Sequence, residues 1–280
     1  MHNISIRNLI IRFKWRISFT FAIVVLESLL SVLFPLFIGL AINDLLENKY
    51  NGIIYLAVLG VLSLTVGSAR RFYDTRIYSG IYCLISPEMV ENEQKKGSSI
   101  SKISARSSLL TEFVEFLENS MPEVIDAIVS LIGIIVIIST LNINVFYACI
   151  GILLLIFIIY ASSGKLNYRF NKNYNNQLEK QVEILEKRNI GIVRNYYKSL
   201  MKWNIKLSDL ETVNYLLIWI GVIALFIYAP ITVIKSGVLK YGLVFSVLMY
   251  VFEYIEKVVT FPLYIQQLIR LKEISKRLVE

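Results

Sequence analysis

The 280-residue sequence is 56% hydrophobic and has a formal net charge of +8. Soluble domains are typically about 45–50% apolar, so the composition predicts a membrane protein. The two cysteines, Cys83 and Cys149, lie far apart, His2 is the one histidine, and no GxxxxGK[ST] string occurs. The sequence therefore excludes a histidine-based catalytic triad, a zinc site and a phosphate-binding loop of its own. We expect no enzymatic activity, no cofactor and no metal.

Six apolar segments long enough to cross a bilayer follow one another along the chain. They cover residues 17–41, 52–69, 122–141, 144–162, 213–234 and 241–269. Charged side chains interrupt the first, third and sixth of them: Glu27, then Glu123 and Asp126, then Glu253, Glu256 and Lys257. We predict an all-α membrane protein with six transmembrane helices in a single domain over residues 1–280.

The basic residues are distributed unequally between the two sides of these segments. The links 42–51, around Asn142, and 235–240 are short, whereas the loops 70–121 and 163–212 each contain about 50 residues. The termini and long loops carry 25 of the 29 Lys and Arg residues, and the short links carry three. By the positive-inside rule, both termini and both long loops are cytoplasmic, and we expect a bacterial inner membrane. The cations form no stripe with interleaved aromatics, so we expect no nucleic-acid partner.

The long loops show helical periodicity. Residues 107–120 and 174–189 each place apolar side chains on one face: Leu110, Phe113, Phe116 and Leu117 in the first, and Leu178, Val182 and Leu185 in the second. We expect the third and fourth transmembrane helices to continue into the cytoplasm as long rods, with separate surface helices as the alternative. The basic segment 1–16 favours an amphipathic helix on the membrane surface.

The sixth apolar segment carries a polar stripe. Side chains at steps of three and four share one helix face, and here they are Ser246, Tyr250, Glu253, Lys257, Thr260 and Tyr264. Such a stripe lines either a water-filled path or a buried interface. Glu253 and Lys257 have the i,i+4 spacing of an ion pair, which leaves Glu256 without an obvious partner. In the alternative interpretation these charges are simply solvated at the cytoplasmic edge.

The acids in the other segments allow two interpretations. An unpaired carboxylate in a bilayer costs a few kcal/mol, so Glu27 is expected either to face a cavity or to pair with Lys257, Arg70 or Arg71. Asp126 lies nearer the end of its segment, and we expect it to be solvated. As functional groups, Glu27, Glu253 or Glu256 would bind a cationic substrate or take up a proton.

Three stretches resemble the transmembrane domain of ABC exporters. LESLLSVLFPLFIGLAINDLL is similar to the first transmembrane helix of that family, GSSISKISARSSLLTEFVEFLENSMPEVIDAIVSLIG to the approach to the third, and YGLVFSVLMYVFEYIEKVVTFPLYIQQLIRLKEISKRL to the sixth. Arg106 or Ser107 stands where the family usually has an aspartate. LEKQVEILEK and KWNIKLSDLETVNY narrow the resemblance to stand-alone six-helix members without a fused nucleotide-binding domain. In agreement, the sequence ends at Glu280, where a fused exporter continues into its ATPase.

The resemblance implies the type IV exporter fold, a homodimer in which the fourth and fifth helices cross to the partner. It also implies that the loop tips near 92–101 and 190–200 would press on an ATPase. Our leading hypothesis is a proton-coupled secondary transporter that alternates access around a cavity lined by the first, third and sixth helices. The cargo would be a small molecule or an amphipathic, peptide-like solute. The alternatives are the membrane subunit of an ATP-driven exporter with a separate ATPase, and a non-transporting anchor or assembly subunit.

Overall fold

The computed structural model describes residues 11–235 and 240–279. Within them, eight α-helices and one π-helical turn follow Ile11 and Arg12, which are also helical. The helices are α1 Lys14–Leu46, α2 Asn51–Lys95, α3 Ile100–Glu115, α4 Met121–Leu141, α5 Ile143–Leu178, α6 Gln181–Glu186, α7 Ile190–Lys235 and α8 Tyr241–Val279. The π-helical turn, Phe116–Ser120, joins α3 to α4 without a break. The prediction of an all-α protein is confirmed over the described residues.

Five stretches of continuous or nearly continuous helix are long and apolar enough to cross a membrane. They are α1, α2, the rod from α3 to α4, the stretch from α5 to α6, and α7. Helix α8 covers the sixth apolar segment but carries Glu253, Glu256 and Lys257 within it. The chain is therefore a multi-pass membrane protein.

The long helical rods predicted for the third and fourth segments differ in their outcome. For the third segment the continuous helix is confirmed, because Ile100–Leu141 is one rod and the four apolar side chains of 107–120 are buried. The fourth is shorter than predicted, because α5 ends at Leu178 and a turn separates it from α6. Leu178, Val182 and Leu185 are exposed, so their shared face does not pack against other described residues. Residues 1–10 of the predicted surface helix and 236–239 of the last short link lie outside the described residues.

The helices form two compact units. The first comprises Met1–Asn142 and Val233–Glu280, and the second comprises Ile143–Thr232. In the first unit α1 is central and packs against α2, α4 and α8. Near the amino end of α1, an apolar cluster joins four helices: Phe13, Ile17, Tyr78, Ile81, Ile85, Met89, Leu110, Phe113, Val114, Leu117 and Ile274.

Near its carboxyl end, α1 makes a close crossing with α8. A β-carbon added at Gly242 would lie 1.8 Å from the carbonyl oxygen of Gly39, so two glycines are needed for this approach. Hydrogen bonds extend along the same seam. The Gly242 amide donates to Asn43 Oδ1 (2.9 Å), and the Ser246 hydroxyl donates to the Pro35 carbonyl (2.7 Å).

The turn between α2 and α3 is built around a buried acid. Glu93 is 2% exposed and accepts hydrogen bonds from Ser98 (2.8 Å) and Lys96 (3.1 Å), and it forms an ion pair with Arg106. It lies well beyond the apolar part of α2. Burial alone raises the pKa of Glu93, but the bonds from Ser98 and Lys96 and the charge of Arg106 outweigh burial, so its pKa lies below the usual value.

In the second unit α5 and α7 run antiparallel. The Asn214 amide donates to Ser163 Oγ over 3.0 Å, and the rings of Phe170 and Trp203 lie 6.1 Å apart. The ammonium of Lys206 on α7 lies 5.7 Å from the centre of the Phe170 ring on α5, a cation–π distance. The contacts of Phe170 therefore hold the two helices together beyond their apolar segments.

Candidate functional site

A polar cavity of about 380 Å³ lies in the first unit, between α1, α2, the π-helical turn and α4. Its walls carry four carboxylates and one guanidinium. The lining residues are Val24, Glu27, Ser28, Ser31, Ser63, Arg70, Glu118, Asn119, Pro122, Glu123 and Asp126. With every carboxylate ionised, the cavity wall therefore has a net negative charge.

The π-helical turn shapes one wall of this cavity. Pro122 has no N–H, so it cannot donate the helical hydrogen bond to the residue four positions earlier. Just before it the ladder widens, and the Met121 amide donates to the Phe116 carbonyl, five residues back. This turn carries Glu118 and Asn119 into the wall. Such π-helical insertions occur often at functional sites.

Glu27 faces the cavity and also has a cationic partner. Its Oε2 is in ion-pair contact with Nε of Arg70, and Nη1 of Arg70 donates to Asp74 Oδ2 over 3.3 Å. Gly67 allows this approach, because a β-carbon there would lie 2.8 Å from Glu27 Oε1. Glu27 was expected either to face a cavity or to pair with a cation. In the structure it does both, and its cationic partner is Arg70.

Asp126 is not simply solvated, and that prediction is wrong. It accepts hydrogen bonds from Lys257 Nζ (2.6 Å) and from the Ser130 hydroxyl (3.2 Å). The reason is that α4 packs against α8, which brings Lys257 to Asp126. Lys257 makes its ion pair here and not with Glu253, so the expected pairing within α8 is corrected.

Residues 6–259 of the sequence match the family model of the ABC transporter transmembrane region. The chain belongs to this family. The match begins before α1 and extends into α8, so it includes every cavity residue of this ABC transmembrane region. It confirms the resemblance noted in the sequence. No curated protein matches the sequence.

The polar stripe of α8 serves mainly to join helices of the ABC transmembrane region. Ser246 and Tyr250 are buried, and the Tyr250 hydroxyl donates to the Val32 carbonyl (2.7 Å) just as Ser246 does to Pro35. Neither lines the cavity. Glu253 is partly buried and Glu256 is exposed, and both also lie outside the cavity lining. Their role in binding stays a prediction.

Sequence reasoning named Arg70 as a possible partner of Glu27 but missed other parts of the site. Glu118 and Asn119 line the cavity, and Asp74 contacts Arg70 from outside the lining. A signal for Asp74 was present, because Arg70 and Asp74 have the i,i+4 spacing directly after the second apolar segment. Glu118 lies in a segment interpreted only as a cytoplasmic rod. Its position four residues before Pro122 is the feature that marks the widened turn.

Proposed function

We propose that this ABC transmembrane region carries a small cationic solute across the membrane by alternating access, and that carboxylates of the cavity couple transport to protons. The observation that supports it is the cavity between α1, α2 and α4, whose lining contains Glu27, Glu118, Glu123 and Asp126. Arg70 and Lys257 offset part of this charge. An acidic wall of this kind attracts cations and repels anions.

The dimensions and polarity of the cavity support a small, polar cargo. A volume of about 380 Å³ is at the lower end of the range of about 300–1,000 Å³ for small-molecule sites. Ser31, Ser63 and Asn119 add neutral hydrogen-bonding groups to its lining. A solute with an amine or a guanidinium would meet both the charge and the hydrogen-bonding groups.

The proposal includes a homodimer in a bacterial inner membrane with both termini in the cytoplasm. The strong bias of Lys and Arg towards the termini and long loops supports this orientation. The formation of a separate unit by Ile143–Thr232 supports a dimer in which that unit packs on a second copy of the chain. Crosslinking of single-cysteine variants in native membranes tests both points.

Uptake by proteoliposomes tests the proposed function. The probe is 4-aminobutylguanidinium, with the neutral 4-hydroxybutylurea as its control. We expect uptake of the cation without ATP, loss of uptake with a protonophore, and a reduction of at least about tenfold in Glu27→Gln. Glu115→Gln is the matched variant, since Glu115 is exposed and outside the cavity lining. Uptake that is insensitive to the protonophore, or equal in both variants, contradicts the proposal.

A second candidate function is the membrane subunit of an ATP-driven exporter with a separate ATPase. The observation that favours it is an exposed isoleucine at the first position of a capped helix in each long loop. Ile100 is 86% exposed after the cap Ser99, and Ile190 is 78% exposed after Asn189. Two apolar side chains so exposed on loop tips suit contact with another protein.

Replacement of these isoleucines separates the two candidates. In the ATP-driven case, Ile100→Asp and Ile190→Asp abolish ATP-dependent uptake and co-purification of an ATPase from native membranes. In the proton-coupled case they leave protonophore-sensitive uptake unchanged. Ser101→Asp in the same loop, at an exposed position, adds the same single negative charge and controls for it.

A further inference from the structure

Arg70 lies between two carboxylates on different helices. Its Nε contacts Glu27 of α1, and its Nη1 donates to Asp74 of α2 over 3.3 Å. Glu27 and Arg70 line the cavity, whereas Asp74 lies behind them, outside the lining. The Arg70 guanidinium therefore contacts one carboxylate that lines the cavity and one that is buried behind it.

Asp74 retains unused hydrogen-bonding capacity. It is 3% exposed, and the Thr20 hydroxyl lies within reach of its carboxylate. The contact from Arg70 Nη1 to Asp74 Oδ2 is 3.3 Å long, whereas a charged pair of this kind is typically about 2.7–2.9 Å. Asp74 therefore gains from a closer, bidentate contact with the guanidinium.

A guanidinium can make that contact, because its planar fork of five N–H donors matches the two oxygens of a carboxylate. In the observed geometry Arg70 divides its donors between two acids. If another cation takes over Glu27, the fork of Arg70 is free to turn onto both oxygens of Asp74. The charge of Arg70 then remains paired, and no buried carboxylate loses its counter-ion.

We propose that Arg70 is a tethered competitor of the substrate: it occupies Glu27 when the cavity is empty, and a cationic solute displaces it onto Asp74. The inference rests on the proposed function, since it takes the cavity to be the substrate site. The displaced group is a guanidinium, so the matching ligand class is alkylguanidinium and related amine cations. Asp74 is then a positioning residue that acts through Arg70.

The proposal fixes the sign of each effect on affinity. Arg70→Gln removes the competitor, so the cation binds more tightly. Asp74→Asn removes the site that receives Arg70, so Arg70 holds Glu27 more firmly and the cation binds more weakly. In the Arg70→Gln background the Asp74→Asn change has little effect, because there is no guanidinium to receive.

Calorimetric titration of the full chain in detergent with 4-aminobutylguanidinium measures these effects. We expect Kd to fall about tenfold in Arg70→Gln, to rise about tenfold in Asp74→Asn, and to change less than about threefold between Arg70→Gln and the double variant. Arg71→Gln is the matched control, because Arg71 is the exposed neighbour and its replacement changes the net charge equally. Its Kd is expected to equal that of the wild type.

Several outcomes overturn the inference. One is weaker binding in Arg70→Gln, and another is an equal effect of Asp74→Asn in both backgrounds. The same gain in Arg71→Gln, or no binding in any variant, also contradicts it. If Arg70→Gln does not fold, an unchanged Kd in folded Asp74→Asn still refutes it. If the Kd values change as expected but proteoliposomes show no uptake, the proposed function alone is contradicted. If uptake occurs but the Kd values do not change as expected, this inference alone is contradicted.

Discussion

Replacement of Gly242 by alanine tests the crossing of α1 and α8. The added β-carbon would lie 1.8 Å from the carbonyl oxygen of Gly39 and 2.8 Å from Cγ of Asn43. The Gly39 oxygen and the added β-carbon at position 242 are both fixed to helix backbones, so a side-chain rotation cannot relieve the first contact. Restoring a carbon–oxygen separation of about 3.2 Å requires the helices to move apart by about 1.4 Å.

That movement would break the hydrogen bonds of the seam. The Ser246–Pro35 and Tyr250–Val32 bonds are both 2.7 Å long, and an increase of about 1.4 Å takes them beyond hydrogen-bonding distance. Each buried polar group left unsatisfied costs about 1–3 kcal/mol. With partial relaxation, we expect Gly242→Ala to lower the free energy of unfolding by about 3 kcal/mol.

Thermal unfolding in detergent measures this loss. For a chain of this size, about 3 kcal/mol corresponds to a decrease in Tm of about 6–12 °C. Gly60→Ala is the control, because an added β-carbon there meets nothing within 4 Å and alanine is the better helix former. A Tm of Gly242→Ala within about 1 °C of that of Gly60→Ala would refute the close crossing.

Three further predictions concern the ion pairs and the cavity. Lys257→Met leaves Asp126 without its cation and lowers the free energy of unfolding by about 2 kcal/mol, as measured by denaturant titration. This loss is smaller than for a fully buried ion pair, because both side chains keep part of their surface exposed. Glu93→Gln lowers the free energy of unfolding by about 3 kcal/mol at neutral pH. Because the pKa of Glu93 is depressed on folding, this difference from the wild type persists above the unfolded-state pKa and disappears as the pH falls through the folded-state pKa; a difference that does not vary with pH contradicts the assignment. Gly67→Ala displaces the flexible end of Glu27. We expect the affinity for 4-aminobutylguanidinium to change several-fold, while the Tm stays within about 2 °C of the wild type. An unchanged affinity argues against the role of Glu27.

The sequence predicted the helices well because their signals are local. Long apolar segments and helical periodicity indicated the all-α fold. The periodicity of 107–120 predicted which apolar side chains are buried, both in α3 and in the turn that follows it. The exception is α5, which ends at Leu178 although the periodicity continues. There the apolar face of 174–189 has no packing partner within the described residues, so periodicity alone did not decide the helix length.

The pairing of side chains was harder to predict because it depends on how helices are packed. Within α8 the spacing of Glu253 and Lys257 favoured a local ion pair. Because α4 packs against α8, Lys257 instead forms its ion pair with Asp126. Similarly, Ser246 and Tyr250 belong to a polar stripe, but both hydroxyls donate hydrogen bonds to backbone carbonyls of α1. The cavity itself required the π-helical turn, which brings Glu118 into the same cavity lining as Glu27 and which no periodicity marked.

The central claim is that the cavity between α1, α2 and α4 binds cations. Calorimetric titration of the wild-type chain with 4-aminobutylguanidinium and with 4-hydroxybutylurea tests it most directly, because the two compounds have similar size and differ in charge. We predict saturable binding of the cation, no binding of the neutral compound, and loss of cation binding in Glu27→Gln. Equal binding of both compounds, or cation binding that is unchanged in Glu27→Gln, would contradict the claim.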